Sequence, residues 1–218
     1  ALSQAEIIHL ASQRGVEGPP PVGLGDEQLW LCPSLNDSAN DISGSGNNGT
    51  YQGGMGTVAS TGSGGSLAYQ INSTSKYIDC GNILDAPSEF TISAWFYRTT
   101  TDAGGIVSKW EGSGYMIVNG TNTVSAASNG SPYAIGNTAP SNTWMHVLAT
   151  FDGTDLKVYQ DGVETASIAD TAPSTTSANF LIGRYSGVTC RSLYDDIRAY
   201  SRALTQSEIT HLATSRGI

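Results

Sequence analysis

The sequence predicts an all-β protein, a two-sheet antiparallel jelly-roll sandwich with short N- and C-terminal helices. Only 13% of the 218 residues are charged and 26 are glycine, a composition typical of strands joined by turns. Many short apolar stretches alternate with turn signals, as in sandwiches and jelly rolls. The stretch "FTISAWFYR" alternates strictly and places Phe90, Ile92, Ala94 and Phe96 on one face of a strand. The length fits one domain of this kind.

Charge and hydropathy exclude two classes of partner. The net charge of −9 argues against nucleic acid, because phosphate contacts need clustered cations. The sequence has no apolar run of the roughly eighteen residues that a transmembrane helix needs, so we expect no membrane span. An acidic surface is compatible with binding calcium or a neutral sugar.

The two ends of the chain repeat each other. Residues 1–16 read "ALSQAEIIHLASQRGV", residues 203–218 read "ALTQSEITHLATSRGI", and ten of the sixteen positions are identical. Ser3 with Glu6, and Thr205 with Glu208, have the spacing of a capping box, which predicts a short helix at each end. An offset of about a domain's length suits a tandem repeat. Residues 1–15 are therefore predicted to be the closing helix of a preceding repeat, or an arm that docks on another subunit.

The remaining chain divides into a connector and a domain. Residues 16–26 contain three successive prolines and several glycines, which predicts a stiff Pro/Gly linker. Residues 27–218 are predicted to form the sandwich and its C-terminal helix. Within them, Asp161 and Gly162 suit the positive φ angles of a two-residue hairpin turn.

Several phrases in the domain resemble one family. Among them are "DISGSGNNGTY", "SKYIDCGN", "NTWMHVLATFDGTDLKVYQDGVE", "FLIGRYS" and "YDDIRAYSRALTQSEI", in the order found in the laminin-G-like, concanavalin A-like lectin-glucanase jelly-roll family. The resemblance implies two antiparallel sheets, often a calcium ion near the rim, and a module that is usually non-catalytic. It also implies an extracellular, cell-surface or virion-surface location.

The glycine-rich loop "GSGNNG" is the candidate metal site. It spells G-x-G-x-x-G, but its flanks are not the strand and helix that a dinucleotide site requires. Calcium prefers six to eight hard oxygen ligands, and the family resemblance favours a calcium ion here. An ordinary glycine-rich turn is the alternative. The predicted calcium ligands are Asp41, Asn47, Asn48, Asp195 and Asp196.

No catalytic residue is predicted. A glycosidase needs a pair of acids across a cleft, and the sequence lacks the Glu-x-Asp-x-x-Glu string of the related glucanases. His9 and His211 occupy equivalent positions in the two predicted helices, and His146 lies on a strand near Trp144. The histidines and cysteines show no zinc spacing.

Aromatic residues near loops are the candidate sugar contacts. Sugars pack on aromatic rings and hydrogen-bond to polar groups beside them. Trp110, Tyr115 and Tyr133 flank the loops "KWEGSGY" and "NGSPY" and are the predicted ligand-binding residues, with rim packing as the alternative. Trp95 and Trp144 lie in long strands and are expected in the core.

The three cysteines leave their pairing open. Cys32, Cys80 and Cys190 allow at most one disulfide, with three possible pairings. Three buried thiols that pack as small apolar side chains are the alternative.

These observations give three hypotheses about function. The favoured one is a non-catalytic extracellular or particle-surface module for adhesion or carbohydrate binding, as one unit of a tandem array. The second is a structural subunit of a filament, phage tail fibre or virion coat that assembles through its N-terminal arm. The third is an accessory domain of a larger glycan-active enzyme. The expected partner is a glycan or neighbouring copies of the protein, in a homo-oligomer or an array.

Overall fold

The computed structural model describes residues 23–35, 37–60, 67–120, 123–130 and 133–215. Within these ranges the chain forms seventeen strands and one helix. The predicted N-terminal helix (1–15) and most of the predicted linker (16–26) lie outside the described residues.

The first sheet has the strand β17 (Ser192–Tyr200) near its centre. This strand pairs with β6 (Phe90–Arg98) on one side and with β4 (Leu67–Ile71) and β1 (Leu29–Leu31) on the other. All its strand pairs are antiparallel. Its strands, in spatial order, are β13 (Val163–Ala169), β12 (Asp155–Gln160), β11 (Trp144–Phe151), β6 (Phe90–Arg98), β17 (Ser192–Tyr200), β4 (Leu67–Ile71) and β3 (Gly56–Ala59), with β1 (Leu29–Leu31) beside β17.

The second sheet faces the first. It is also antiparallel, apart from one short parallel contact of β16 (Val188–Thr189) with β7 (Gly104–Lys109). A small hairpin, β15–β16, lies against β7. The strands, in spatial order, are β10 (Ala134–Thr138), β9 (Thr123–Ser128), β8 (Tyr115–Asn119), β7 (Gly104–Lys109), β14 (Leu181–Ile182), β5 (Tyr77–Asp79) and β2 (Thr50–Gln52), with β15 (Arg184–Tyr185) and β16 (Val188–Thr189). The predicted two-sheet sandwich is confirmed.

The core lies between the two sheets and follows the predicted alternation. Phe90, Ile92, Ala94 and Phe96 all belong to the main hydrophobic cluster. The Phe90 ring of the first sheet stacks on the Tyr115 ring of the second, with centroids 4.4 Å apart. The sandwich is therefore held together by residues that alternate with outward-facing ones along each strand.

The helix α1 (Gln206–Thr214) covers the outer face of the first sheet. The predicted capping box is present, because the Thr205 side chain accepts from the Glu208 N–H and the Glu208 carboxylate accepts from the Thr205 N–H. The buried side chains of this layer are Leu148, Tyr159, Tyr200, Leu204, Ile209 and Leu212. No helix within the described ranges is long and apolar enough to cross a bilayer.

Two local predictions are also settled by the structure. Asp161 and Gly162 both have positive φ, at 50° and 81°, and they join β12 to β13 as the predicted two-residue turn. Cys32, Cys80 and Cys190 are free and buried, so the alternative of three buried thiols is confirmed. Burial raises the pKa of all three thiols, which keeps them protonated at neutral pH.

Buried His146 makes the stability depend on pH. It lies on β11 opposite Trp95 and is 1% exposed, and burial together with the Arg198 charge lowers its pKa to about 3. In the unfolded chain its pKa is about 6.5. Between these values the unfolded state binds the extra proton, so stability is full above about pH 6.5 and falls as the pH drops towards 3.

We expect this group to remove ~2 kcal/mol of the unfolding free energy between pH 7 and pH 5. The His146→Asn variant should lose that part of the pH dependence in urea unfolding curves. The control is His211→Asn, which removes a histidine from the helix instead; it should keep the pH dependence that His146→Asn loses. The same pH dependence in the His146→Asn variant as in the wild type would contradict the assignment.

Candidate functional site

The outer face of the second sheet has a small apolar cluster of its own, separate from the core and from the layer under α1. Because side chains alternate along β8, Tyr115 and Ile117 point into the core while Met116 and Val118 point away from it. Met116 is paired with Ala127 of β9. Three half-buried aromatic residues pack on this cluster, and we call the whole surface the aromatic face: Met116, Val118, Ala127, Trp110, Tyr133 and Tyr185.

The β15–β16 hairpin supplies Tyr185 to this face. Its turn residues, Ser186 and Gly187, both have positive φ, as a two-residue hairpin turn requires. The Ser108 hydroxyl donates to the Arg184 carbonyl oxygen over 2.7 Å. A Cβ at Gly105 would lie 2.6 Å from the same backbone, so only glycine lets the hairpin approach β7 this closely.

Tyr133 and Tyr185 lie near each other across the aromatic face. Burial raises the pKa of the Tyr133 phenol, and the neighbouring Tyr185 raises it further. Exposed apolar side chains extend the surface, with Ile135 63% and Val188 44% exposed. Ile135 is opposite Ser125, which in turn is opposite Val118, so these three residues form one row across the sheet.

Polar groups bind the loop that follows Trp110 in the sequence. The Glu111 carboxylate accepts hydrogen bonds from both the N–H and the hydroxyl of Ser177, at 3.2 and 2.8 Å. The Asn129 N–H donates to the Gly114 carbonyl oxygen, and its side-chain amide donates to the Thr171 hydroxyl. The loop after β7 is therefore held in place by hydrogen bonds, with amide and hydroxyl groups at the surface.

The predicted sugar-contacting residues divide between this face and the core. Trp110 and Tyr133 lie on the aromatic face, and their role in binding stays a prediction. Tyr115 does not lie there: it is fully buried and donates its hydroxyl to the Leu84 carbonyl oxygen at 2.8 Å. That part of the prediction is wrong, because alternation turns Tyr115 inward while its neighbour Met116 faces out. Tyr185 is not among the predicted ligand-binding residues. Gly183 and Gly187, which flank this tyrosine, are the sequence signal that marks its hairpin.

The expectation that two tryptophans lie in the core is also wrong. Trp95 and Trp144 are half-buried on the outer face of the first sheet. The Trp95 indole donates to the Leu212 carbonyl oxygen at 3.3 Å, and the Trp144 ring lies 5.4 Å from the Tyr97 ring.

In the predicted calcium loop, the side-chain oxygens of Asp41 and Asn48 accept hydrogen bonds from backbone N–H groups of the loop and of β1. Asp41 Oδ1 accepts from the N–H groups of Trp30 and Ser43, and Oδ2 accepts from that of Asn47, all at 2.9–3.0 Å. The Asn48 side-chain oxygen accepts from the Asp41 N–H at 2.9 Å. These contacts fold the loop and attach it to β1.

The two predicted aspartates of β17 point in different directions, as adjacent strand residues do. Asp195 is fully buried and accepts from the Asp196 N–H at 2.8 Å. Asp196 lies at a bulge with φ of 44°, and both its oxygens accept from the Arg198 guanidinium, at 2.9 and 3.0 Å. The Trp30 indole N–H donates to the same carboxylate at 2.6 Å.

Glu27 completes this buried polar cluster. Its Oε1 lies 3.5 Å from Arg198 Nη1 and 3.3 Å from the Tyr200 hydroxyl. It also accepts from the N–H groups of Leu24 and Gly25. We call Glu27, Trp30, Asp196 and Arg198 the arginine cluster; the guanidinium lies 4.1 Å from the Trp30 ring centroid.

Four of the five predicted calcium ligands accept hydrogen bonds from protein N–H groups, namely Asp41, Asn48, Asp195 and Asp196. Asp41 accepts from the backbone N–H of Trp30, and Asp196 accepts from the indole N–H of the same residue. The Asp196 carboxylate also binds the Arg198 guanidinium. Within the described part of the chain, no group of three or more His, Cys, Asp or Glu side chains is placed to hold a metal ion. The calcium site stays a prediction that these contacts do not favour.

The fold and the sequence define the class of protein. The chain belongs to the Concanavalin A-like lectin/glucanases superfamily, whose Laminin_G_3 model matches residues 72–210. No curated protein matches the chain in sequence.

Several solved structures share the fold. Domain 4 of AbnA, a GH43 extracellular arabinanase from Geobacillus stearothermophilus, in complex with arabinotriose, is 22% identical with a TM-score of 0.69, over 86% of this chain and 98% of that one. The binding domain of Paraclostridial Mosquitocidal Protein 1 is 17% identical with a TM-score of 0.72, over 87% and 52% of the two chains.

A third similar structure is the botulinum neurotoxin serotype D ligand binding domain in complex with N-acetylneuraminic acid. It is 15% identical with a TM-score of 0.70, over 87% of this chain and 51% of that one. The chain thus spans about half the length of both toxin domains. At these identities the likeness shows the fold alone.

We expect two ion pairs to contribute very differently to the unfolding free energy: the buried Asp196–Arg198 pair and the surface Asp26–Arg202 pair. Asp196→Asn leaves the buried guanidinium of Arg198 without its main counter-charge, so we expect a loss of ~3–5 kcal/mol in unfolding free energy. Asp26→Asn removes a partner of Arg202 at the surface and should cost less than about 1 kcal/mol. Urea unfolding of both variants measures the two losses, and equal small losses would contradict a buried ionic anchor.

The calcium prediction has a separate test. Because Asp41 binds three backbone N–H groups, we expect Asp41→Asn to lower the melting temperature to the same extent with calcium and with a chelator. A calcium-dependent rise in the wild-type melting temperature that disappears in Asp41→Asn would instead support the predicted metal site.

Proposed function

We propose that this protein is a non-catalytic carbohydrate-binding β-sandwich module and that the aromatic face holds the glycan. The observation that carries the proposal is the arrangement of Trp110, Tyr133 and Tyr185, three half-buried rings on one apolar floor. Sugars bind such surfaces by packing their C–H groups on rings while their hydroxyls bond to polar neighbours. Amide and hydroxyl groups of that kind, from Asn129 and Ser177, lie at the loop that follows Trp110.

The charge of the chain favours a neutral sugar. With a net charge of −9, the protein repels anionic ligands at long range. Two of the similar structures are complexes with arabinotriose and with N-acetylneuraminic acid, which supports carbohydrate as the ligand class. We propose a neutral oligosaccharide as the ligand.

The absence of a second acid supports a binding role for the aromatic face. Residues 104–138, which supply β7 to β10, contain a single acid, Glu111. Its carboxylate accepts two hydrogen bonds from Ser177. Glycoside hydrolysis uses a pair of carboxyl groups, so a face built on these strands is suited to binding.

The setting that we propose is outside the cell, on a cell surface or on a virion surface. The module would work as an adhesion unit, as one unit of a tandem array, or as the accessory domain of a larger glycan-active enzyme. One observation favours serial arrangement as the second candidate function: Arg202 bonds to Asp26, near the start of the domain, and to Glu208 of the closing helix. The start of the domain therefore lies beside the first turn of its closing helix, an arrangement that we propose to suit successive units of an array, a filament, a tail fibre or a coat.

Glycan binding is tested by alanine substitution on the aromatic face. Trp110→Ala, Tyr133→Ala and Tyr185→Ala should each weaken binding about tenfold or more, since a ring contact contributes ~1 kcal/mol or more beyond its buried area. The ligand is first found on a glycan array, and the affinity is then measured by calorimetry.

The matched controls are Tyr97→Ala and Trp144→Ala, an aromatic pair of similar exposure on the outer face of the first sheet. These should bind as the wild type does. Equal losses in both sets, or binding that none of the three face variants changes, would refute the aromatic face as the site.

A further inference from the structure

The outer face of the first sheet forms a specific seat for one helix. We call Leu148, Tyr159, Tyr200, Trp95 and Gly162 the helix platform. The first three pack against Leu204, Ile209 and Leu212, and the Trp95 indole and the Gly162 carbonyl oxygen hydrogen-bond to the Leu212 backbone and the Gln206 side chain.

The N-terminal segment repeats the sequence of residues 203–214 at the positions that are buried or half-buried there. Between residues 203 and 214, every buried or half-buried position is identical in residues 1–12. The matched pairs at these positions are Ala1/Ala203, Leu2/Leu204, Glu6/Glu208, Ile7/Ile209, His9/His211, Leu10/Leu212 and Ala11/Ala213.

Within residues 203–214 the differences between the two segments fall on the solvent side, and the half-buried Ser215 just beyond them corresponds to Gln13. Four of the five exposed positions in residues 203–214 differ, namely Ser3/Thr205, Ala5/Ser207, Ile8/Thr210 and Ser12/Thr214. The one exposed identity is Gln4/Gln206, and Gln206 donates to the platform at Gly162 over 2.8 Å. Within this stretch the repeat has therefore kept the residues that are buried or half-buried in the C-terminal segment and changed four of the five exposed ones.

We propose that the helix platform accepts residues 1–15 of a second copy of this chain in place of its own residues 203–214. Ile7 and Leu10 then take the places of Ile209 and Leu212. Glu6 takes the place of Glu208, which bonds to the Thr205 N–H and to Arg202. This inference is independent of glycan binding, because it concerns the opposite sheet.

The length of the connector permits exchange between neighbouring copies. Leu24 packs against the platform's apolar cluster and follows Gly15 by nine positions in the sequence, a reach of at most about 30 Å. The attached helix α1 has the advantage of a high local concentration. The N-terminal segment therefore competes effectively when α1 is weakened or when chains are concentrated.

The test uses the full chain in four forms. The helix variant carries Ile209→Ser and Leu212→Ser, the arm variant carries Ile7→Ser and Leu10→Ser, and the fourth form carries all four changes. We expect the arm changes to leave the wild-type melting temperature unaltered but to lower that of the helix variant by a further ~3 °C or more. Sedimentation should show concentration-dependent association of the helix variant that the arm changes abolish.

The control is Ile8→Ser, which matches exposed Thr210 and should have no effect in either background. Additive effects of the arm and helix changes would overturn the proposal. Coupling without association would overturn docking between copies.

Leu212→Ala alone replaces the double change if the helix variant does not fold. A synthetic peptide of residues 1–16 gives a second measurement in the same background. It should raise the melting temperature in a saturable way, whereas the same peptide with Ile7→Ser and Leu10→Ser should not; equal effects of the two peptides would overturn the proposal.

Discussion

The structure depends on one buried cation, the guanidinium of Arg198 on the central strand of the first sheet. Burial alone would lower the pKa of this group, but the Asp196 carboxylate outweighs burial and raises it. Glu27 and the Trp30 ring occupy the remaining sides of the guanidinium. A buried charge is tolerated only where partners surround it, so β1 and the segment before it must dock on β17 for the sheet to close. The same contacts place residues 24–26 beside the closing helix.

The two sheets use their outer faces differently. The outer face of the first sheet binds α1 through apolar contacts and two hydrogen bonds, which the Gln206 side chain and the Trp95 indole donate. That of the second sheet has no such helix within the described residues, and three aromatic rings cover its apolar floor instead. A surface of half-buried rings bordered by polar groups is suited to an external ligand, whereas the first sheet is suited to a segment of its own sequence.

The fold could be predicted because it rests on period-two alternation, which is local in the sequence. The core positions of "FTISAWFYR" follow from that signal, and the Asp161–Gly162 turn follows from a second local signal, the residue types that adopt positive φ. The candidate site is harder to predict, because alternation gives two faces without saying which one is buried. From the sequence alone Tyr115 is as good a candidate for a surface ring as Trp110, and nothing ranks Tyr185 above the other aromatic residues. The role of Asp196 was missed for a different reason, since its partner Trp30 is 166 residues away and no local pattern reveals such a contact.

The most direct measurement is a crystal structure of the protein soaked with the neutral oligosaccharide that it binds in solution. If the aromatic face is the glycan site, the sugar rings will lie against Trp110, Tyr133 and Tyr185, and the sugar hydroxyls will be directed to the amide and hydroxyl groups near Asn129. Sugar bound instead at the Asp41 loop or on the first sheet, with the aromatic face empty, would contradict it.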